Sequence, residues 1–245
     1  MNNDKEYEVV IIKDEPEITQ PSNDNDKYRS LSEAINFDYD FSISDIIAEA
    51  WKMVHGNKLP IFIAILLASV FSSIVSYTGQ FFAILFEQLP ALSIVISVLF
   101  DGASAVFIVG VIIVVLKLSN QETVDAAGDF CKFTKFWLPM LILSVMMTLI
   151  IALGFVLLII PGIYLVIAYS LAYWILVIHP NESFWDILEA SRKIVSRHWF
   201  KFLGLNLILG IILLISLIPL GIGLIWTLPL YNFTYALIFK KIFEK

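Results

Sequence analysis

Asp101 is the residue whose type and position raise chemistry first, because it is an acid set among apolar side chains. It precedes Lys117 by about sixteen residues, roughly 24 Å at helical rise. A carboxylate in hydrocarbon costs about 2.5–3.5 kcal/mol on insertion scales, so an intramembrane acid marks an ion or substrate path by default. The plainer reading is that Asp101-Gly102 caps a helix starting near Ala103, at a wet interface. A second constellation joins Asn206 to Tyr231, Asn232, Thr234 and Tyr235, beside Pro229. Such groups either hydrogen-bond helices together or line a polar substrate cavity. His55, His179 and His198 lie in separate segments without metal-ligand spacing. No Gly-x-Ser-x-Gly elbow and no phosphate loop occur. The apolar runs hold a single acid and no convergent acid–base set, so no catalytic residue, metal site or cofactor is expected.

The elements that must position these residues follow from composition. Hydrophobic residues make up 59% of the 245 and charged residues 16%, against about 45–50% and 25% in soluble domains. That excludes an ordinary soluble enzyme and a disordered chain. The net charge of −6 argues against a nucleic-acid binder. A helical crossing needs about 20 mostly apolar residues, and six runs qualify. They are residues 59–77, a run ending at 116 that begins between 91 and 99, then 137–160, 161–178, 202–218 and 221–239. Phe81–Ser97 is expected to lie flat at the outer interface, the alternative being a prolonged first helix.

Lys and Arg test this layout. They cluster before the first run, between the second and third, between the fourth and fifth, and after the sixth. The positive-inside rule then places both termini in the cytoplasm. Each pair of runs is preceded by an amphipathic segment opening on a capping pattern: Ser42-x-x-Asp45, Ser119-x-x-Glu122 and Ser183-x-x-Asp186. The reading is an all-α polytopic membrane protein with six transmembrane helices in three hairpins, each led by a cytoplasmic-side amphipathic helix. Those helices should lie in the inner leaflet, with Lys52, Lys58, Lys132, Lys135, Arg192, Lys193, Arg197 and Lys201 among lipid headgroups.

Charge also divides the chain into domains. Residues 1–40 carry a net of −7 and residues 41–245 a net of +1. Residues 1–41 are therefore expected as an acidic, disordered cytoplasmic tail. Its apolar run Val9-Val10-Ile11-Ile12 is either a fluctuating strand or a docking segment for a protein partner. Residues 42–245 form the membrane domain. Cys131, the single cysteine, is read as a small apolar filler.

Several motifs carry a resemblance. Ala50-Trp51-Lys52-x-x-x-Gly56-Asn57, Ile159-Ile160-Pro161-Gly162-Ile163-Tyr164, Ala190-Ser191 and Gly221-Ile222-Gly223-Leu224-x-x-x-x-Pro229-Leu230-Tyr231 resemble a superfamily of uncharacterised six-pass bacterial membrane proteins. That superfamily is related to the membrane domain fused to some glycerophosphodiester phosphodiesterases. The likeness spans about residues 43–240 and implies an inner-membrane protein of unassigned activity. Pro161-Gly162 is expected to form a tight outer turn, and Pro229 to kink the sixth helix.

Three functions stand open. The first is a non-enzymatic protein supporting membrane or envelope organisation through lipid or partner contacts. The second is a small transporter or channel built on Asp101, Asn206 and the Pro229 kink. The third is a lipid-active enzyme. Oligomeric state is not legible.

Overall fold

The structure, a computed structural model, describes residues 27–245. The expectations for residues 1–26, including the Val9–Ile12 run, lie outside the described residues. The described chain is helical. Its elements are α1 (Leu31–Asn36), α2 (Ile43–Leu85), α3 (Pro90–Ser104), α4 (Val106–Ser119), α5 (Ala126–Phe130), α6 (Trp137–Leu157), α7 (Ile159–Ala168), α8 (Ala172–Ile178), α9 (Phe184–Arg197), α10 (Trp199–Leu217) and α11 (Leu224–Phe243). A 3₁₀ turn over Cys131–Phe136 joins α5 to α6. Cys131 is exposed, so it fills no core.

Five helical stretches are long and apolar enough to cross a membrane: Ile43–Leu85, Pro90–Ser119, Ala126–Leu157, Ile159–Ile178 and Trp199–Leu217. α11 has 20 residues but holds Thr227, Tyr231, Asn232, Thr234, Tyr235 and two lysines, and it falls short of that apolarity. Much of its surface is covered by protein rather than left bare.

The breaks in the helices have local causes. α2 kinks at Asn57 (φ −129°, ψ 22°). Pro60 lacks the amide that would bond the Gly56 carbonyl, and its ring crowds that carbonyl. Phe81–Leu85 simply continue α2, and Pro90 opens α3, so the segment expected to lie flat prolongs helices instead. Its polar residues Glu87 and Gln88 fall in the turn between α2 and α3, so neither helical part has the charged face that would hold it at an interface.

The expected turn at Pro161-Gly162 also moves. Leu158 is extended (φ −162°, ψ 151°) and makes the break, while Pro161 and Gly162 lie in the first turns of α7. The missing proline amide costs little there. Gly162 is needed for space: a Cβ would sit 2.4 Å from the Phe155 ring, and Gly154 lies against the Gly162 Cα. α11 runs helically through Pro229. The discontinuity near the polar cluster lies instead at Tyr169–Leu171, between α7 and α8.

The capping patterns fare unevenly. Ser183 caps α9, accepting from Asp186 N at 3.2 Å. Ser42 precedes α2 but bonds the Ser44 hydroxyl at 2.9 Å instead of a helix amide. Ser119 ends α4 and donates to Leu116 O at 2.8 Å, so the middle pattern is no N-cap.

Burial divides the molecule in two. At one end large apolar residues are bare: Leu66, Ile74, Phe81 and Ile94 on α2–α3, Leu149, Leu153 and Val156 on α6, and Leu207, Ile211 and Leu214 on α10. At the other, basic end a core of apolar residues is enclosed by protein, while Trp137, Trp185 and Phe200 stay exposed around it. That core includes Val114 and Leu116 on α4, Ile175 on α8, Ile187, Leu188, Ile194 and Val195 on α9, and Phe233, Phe239 and Phe243 on α11. The greasy face of α9 is therefore covered by protein, not turned to a leaflet.

The basic end is closed by residues 27–41, which the acidic average had placed in a disordered tail. Tyr28, Leu31, Ala34, Tyr39 and Phe41 are buried. Ser30 and Glu33 form a full capping box on α1. Arg29 donates to Ile242 O at 2.9 Å, and Tyr39 Oη donates to Ile194 O at 2.8 Å. Tyr28 pairs with Glu244 in an isolated antiparallel bridge. The boundary at residue 41 thus cuts through packed structure. The physical reason is that charge counted over forty residues hid an aromatic stretch able to offset its ordering entropy.

A Cβ at Gly210 meets nothing within 4 Å, whereas one at Gly162 collides. Gly162→Ala is expected to cost about 1–3 kcal/mol by overpacking. Gly210→Ala should add about 0.5–1 kcal/mol from helix propensity. Thermal melting of the purified protein in detergent reads the opposite signs.

Candidate functional site

α4, α6, α7, α8, α10 and α11 surround a cavity of about 340 Å³. Its wall includes Ile108 and Ile112 from α4 and Met147 and Ile151 from α6. The polar part gathers Ser170, Asn206, Tyr231, Asn232 and Tyr235, beside Tyr169, Tyr173 and Trp174. The residues that line it include no Asp, Glu, His, Lys, Arg or Cys.

Each polar group is held by its helix. Asn206 Nδ2 donates to Phe202 O at 2.9 Å, and Asn232 Nδ2 donates to Leu228 O at 2.9 Å. Tyr235 Oη donates to Asn206 Oδ1 at 2.9 Å, tying α11 to α10. The Tyr231 and Tyr235 rings lie 5.0 Å apart. The discontinuity at Tyr169–Leu171 brings Ser170 to the cavity. It is supported from outside, where the buried Ser191 hydroxyl of α9 donates to Ala168 O at 2.8 Å.

The expected constellation is thus partly assembled. Asn206, Tyr231, Asn232 and Tyr235 share the cavity, whereas Thr234 is fully buried and bonds Leu230 O at 2.7 Å. Asp101 does not line it; it is exposed on α3. Asp101-Gly102 is no cap either, since α3 runs on to Ser104. Gly102 instead admits α6: a Cβ would lie 2.6 Å from Val145, and Ser144 Oγ donates to Gly102 O at 2.9 Å. Ser170 was missed because one serine in an apolar run carries no periodic signal.

A second polar centre, not foreseen, lies at the basic end. Asp129 is 4% exposed. It accepts from Lys117 Nζ at 2.8 Å, Lys132 Nζ at 2.6 Å and Asp125 N at 3.1 Å. Burial opposes ionisation, but the two ammonium groups and their hydrogen bonds outweigh it and hold the carboxyl below its usual range. Arg192 and Lys193 pair with Glu189, and the Arg192 hydrogen bond lowers that carboxyl in turn.

Other basic residues expected among headgroups are also engaged. Arg197 Nη2 donates to Ile35 O at 2.7 Å, and Lys201 pairs with Asp40. Lys58 sits over the Trp226 ring at 5.2 Å. Lys52 and Lys135 form no salt bridge among the described residues. Among the described residues no three His, Cys, Asp or Glu side chains come together as a metal site. His198 bonds Tyr39 O at 2.6 Å and His179 bonds Arg29 O at 3.0 Å, both holding residues 27–41.

Asp129→Asn leaves two lysines without their acceptor charge and is expected to cost about 1–3 kcal/mol at neutral pH. Because the folded pKa is lowered, this stabilisation is complete above the unfolded value of about 4 and is lost as pH falls through the folded value. Melting temperatures of the wild type and the variant in detergent should therefore converge at acid pH.

Comparison with protein-family models, curated proteins and solved structures finds no match for this chain.

Proposed function

We propose that this chain is a non-enzymatic multi-pass protein of the bacterial cytoplasmic membrane, with six crossings in three hairpins and both termini in the cytoplasm. It supports membrane organisation through lipid and partner contacts. The observation that carries this reading is the division of the surface. The bare apolar end needs lipid, and all basic residues lie outside the apolar stretches from Leu59 to Phe86, Trp137 to Ile178 and Phe202 to Phe239. α11 is the sixth crossing, and its polar residues are tolerated because neighbouring helices cover them. Lys52 and Lys135 project from the basic end as headgroup contacts. The acidic residues 1–26 offer a second surface for a protein partner.

A transporter or channel is the second reading, favoured by the helix break at Tyr169–Leu171 beside a polar cavity. Its expected signature is solute flux through reconstituted protein, lost when Tyr235 and Asn206 are both replaced by apolar residues.

Two measurements test the leading reading. On a Cys131→Ser background, Gln88→Cys should react with an impermeant thiol reagent in intact cells. Asn181→Cys should react only after permeabilisation. The reverse pattern would overturn the orientation. The double variant Lys52→Glu, Lys135→Glu should retain severalfold less anionic lipid through purification, and unchanged retention would remove the headgroup role.

A further inference from the structure

We infer that the cavity between α4, α6, α7, α8, α10 and α11 is a binding site for an uncharged amphiphile of the diacylglycerol type, which enters sideways from the bilayer. The inference rests on the membrane reading above and specifies which lipid contact the interior makes.

The lining decides the class of ligand. With no ionisable side chain other than tyrosine and cavity walls of Ile, Met and Val, a phosphate or ammonium headgroup would be desolvated without a counter-charge. A neutral head avoids that cost. The polar groups left over by the protein also match a neutral head. Asn206 is satisfied on both sides, by Phe202 O and the Tyr235 hydroxyl. Asn232 lines the cavity and commits its Nδ2 to Leu228 O, which leaves its Oδ1 without a protein donor among the described residues. Ser170 Oγ is sealed against the Tyr235 hydroxyl and is not open to a ligand. The Tyr231 hydroxyl and the Asn232 amide both line the cavity, and together they call for a ligand that both donates and accepts, as a free glycerol hydroxyl next to an ester carbonyl does. Buried groups of this kind reject ligands that leave them unpaired.

The walls decide the route. Ile108 on α4 and Val166 on α7 line the cavity and are also 41% and 48% exposed. They belong to the bare apolar surface that lipid must cover. The cavity therefore opens laterally, and an apolar ligand reaches it without crossing water. A volume of about 340 Å³ accommodates the glycerol region and the first part of the chains, with the rest left in the bilayer.

The test uses the full chain reconstituted in vesicles of phosphatidylethanolamine and phosphatidylglycerol carrying a small fraction of photoreactive diacylglycerol. Mass spectrometry should find label concentrated on the peptides around Met147, Ser170 and Tyr231. Unlabelled diacylglycerol should compete, and phosphatidic acid with the same chains should not. Asn232→Leu should lower labelling by roughly fivefold, the scale of one hydrogen bond in a dry site. Val166→Trp, which leaves every polar group in place, should block entry and lower it as well. Label spread evenly over α2, α6 and α10, or equal competition by phosphatidic acid, would overturn the proposal. Insertion and orientation are read separately by the thiol-labelling experiment. Correct orientation without cavity labelling removes this site alone, and reversed orientation removes the proposed topology while leaving cavity labelling to stand or fall by itself.

Discussion

Large apolar side chains must be kept from water, and this chain does so in two different ways along one bundle. At one end Leu66, Ile74, Leu153 and Leu214 are bare, and lipid is the cover their chemistry requires. At the other end Val114, Ile175, Ile194 and Phe239 are covered by other helices and by residues 27–41. The rest follows from that change of cover. Polar residues collect where protein provides partners, which is why Asn206 and Tyr235 meet across α10 and α11. Charge collects where protein and water together can meet it, as around Asp129.

Much of the fold was legible because apolar length is a strong signal. The runs ending near Leu116, starting at Trp137 and starting at Phe202 correspond to the stretch α3–α4, to α6 and to α10. What failed was local and had physical reasons. The breaks fall at Asn57, Leu158 and Tyr169–Leu171, and only the first has a nearby proline that removes an amide mid-helix. Pro229 and Pro161 were better breakers by residue type, yet both sit inside helices. α9 shows a limit of amphipathic patterning: the spacing gives a greasy face, but it does not say whether lipid or protein covers it. The capping box Ser30-x-x-Glu33 follows the same serine-to-acid spacing as Ser183-x-x-Asp186. The acidic average over residues 1–40 masks it.

The candidate site was half legible. Asparagine and tyrosine at helical spacing on the last apolar run do converge, and Asn206 joins them from the run before. Asp101, the residue that looked most informative by type, stays outside. A sequence gives the depth of a residue along a helix through its distance from a basic end, but not the side it faces. Gly102 shows what the neighbouring position does: its missing side chain lets α6 approach.

The change of cover is open to direct measurement. Spin labels placed singly at Leu153, Leu214, Glu189 and Lys193, on a Cys131→Ser background in lipid vesicles, report collision with oxygen and with a water-soluble nickel complex. Labels at 153 and 214 should collide with oxygen and be shielded from nickel. Labels at 189 and 193, on the far side of α9 from its buried face, should collide freely with nickel. Nickel access at 153 or 214, or an oxygen-rich, nickel-shielded signal at 189 and 193, would contradict a bundle covered by lipid at one end and by its own protein at the other.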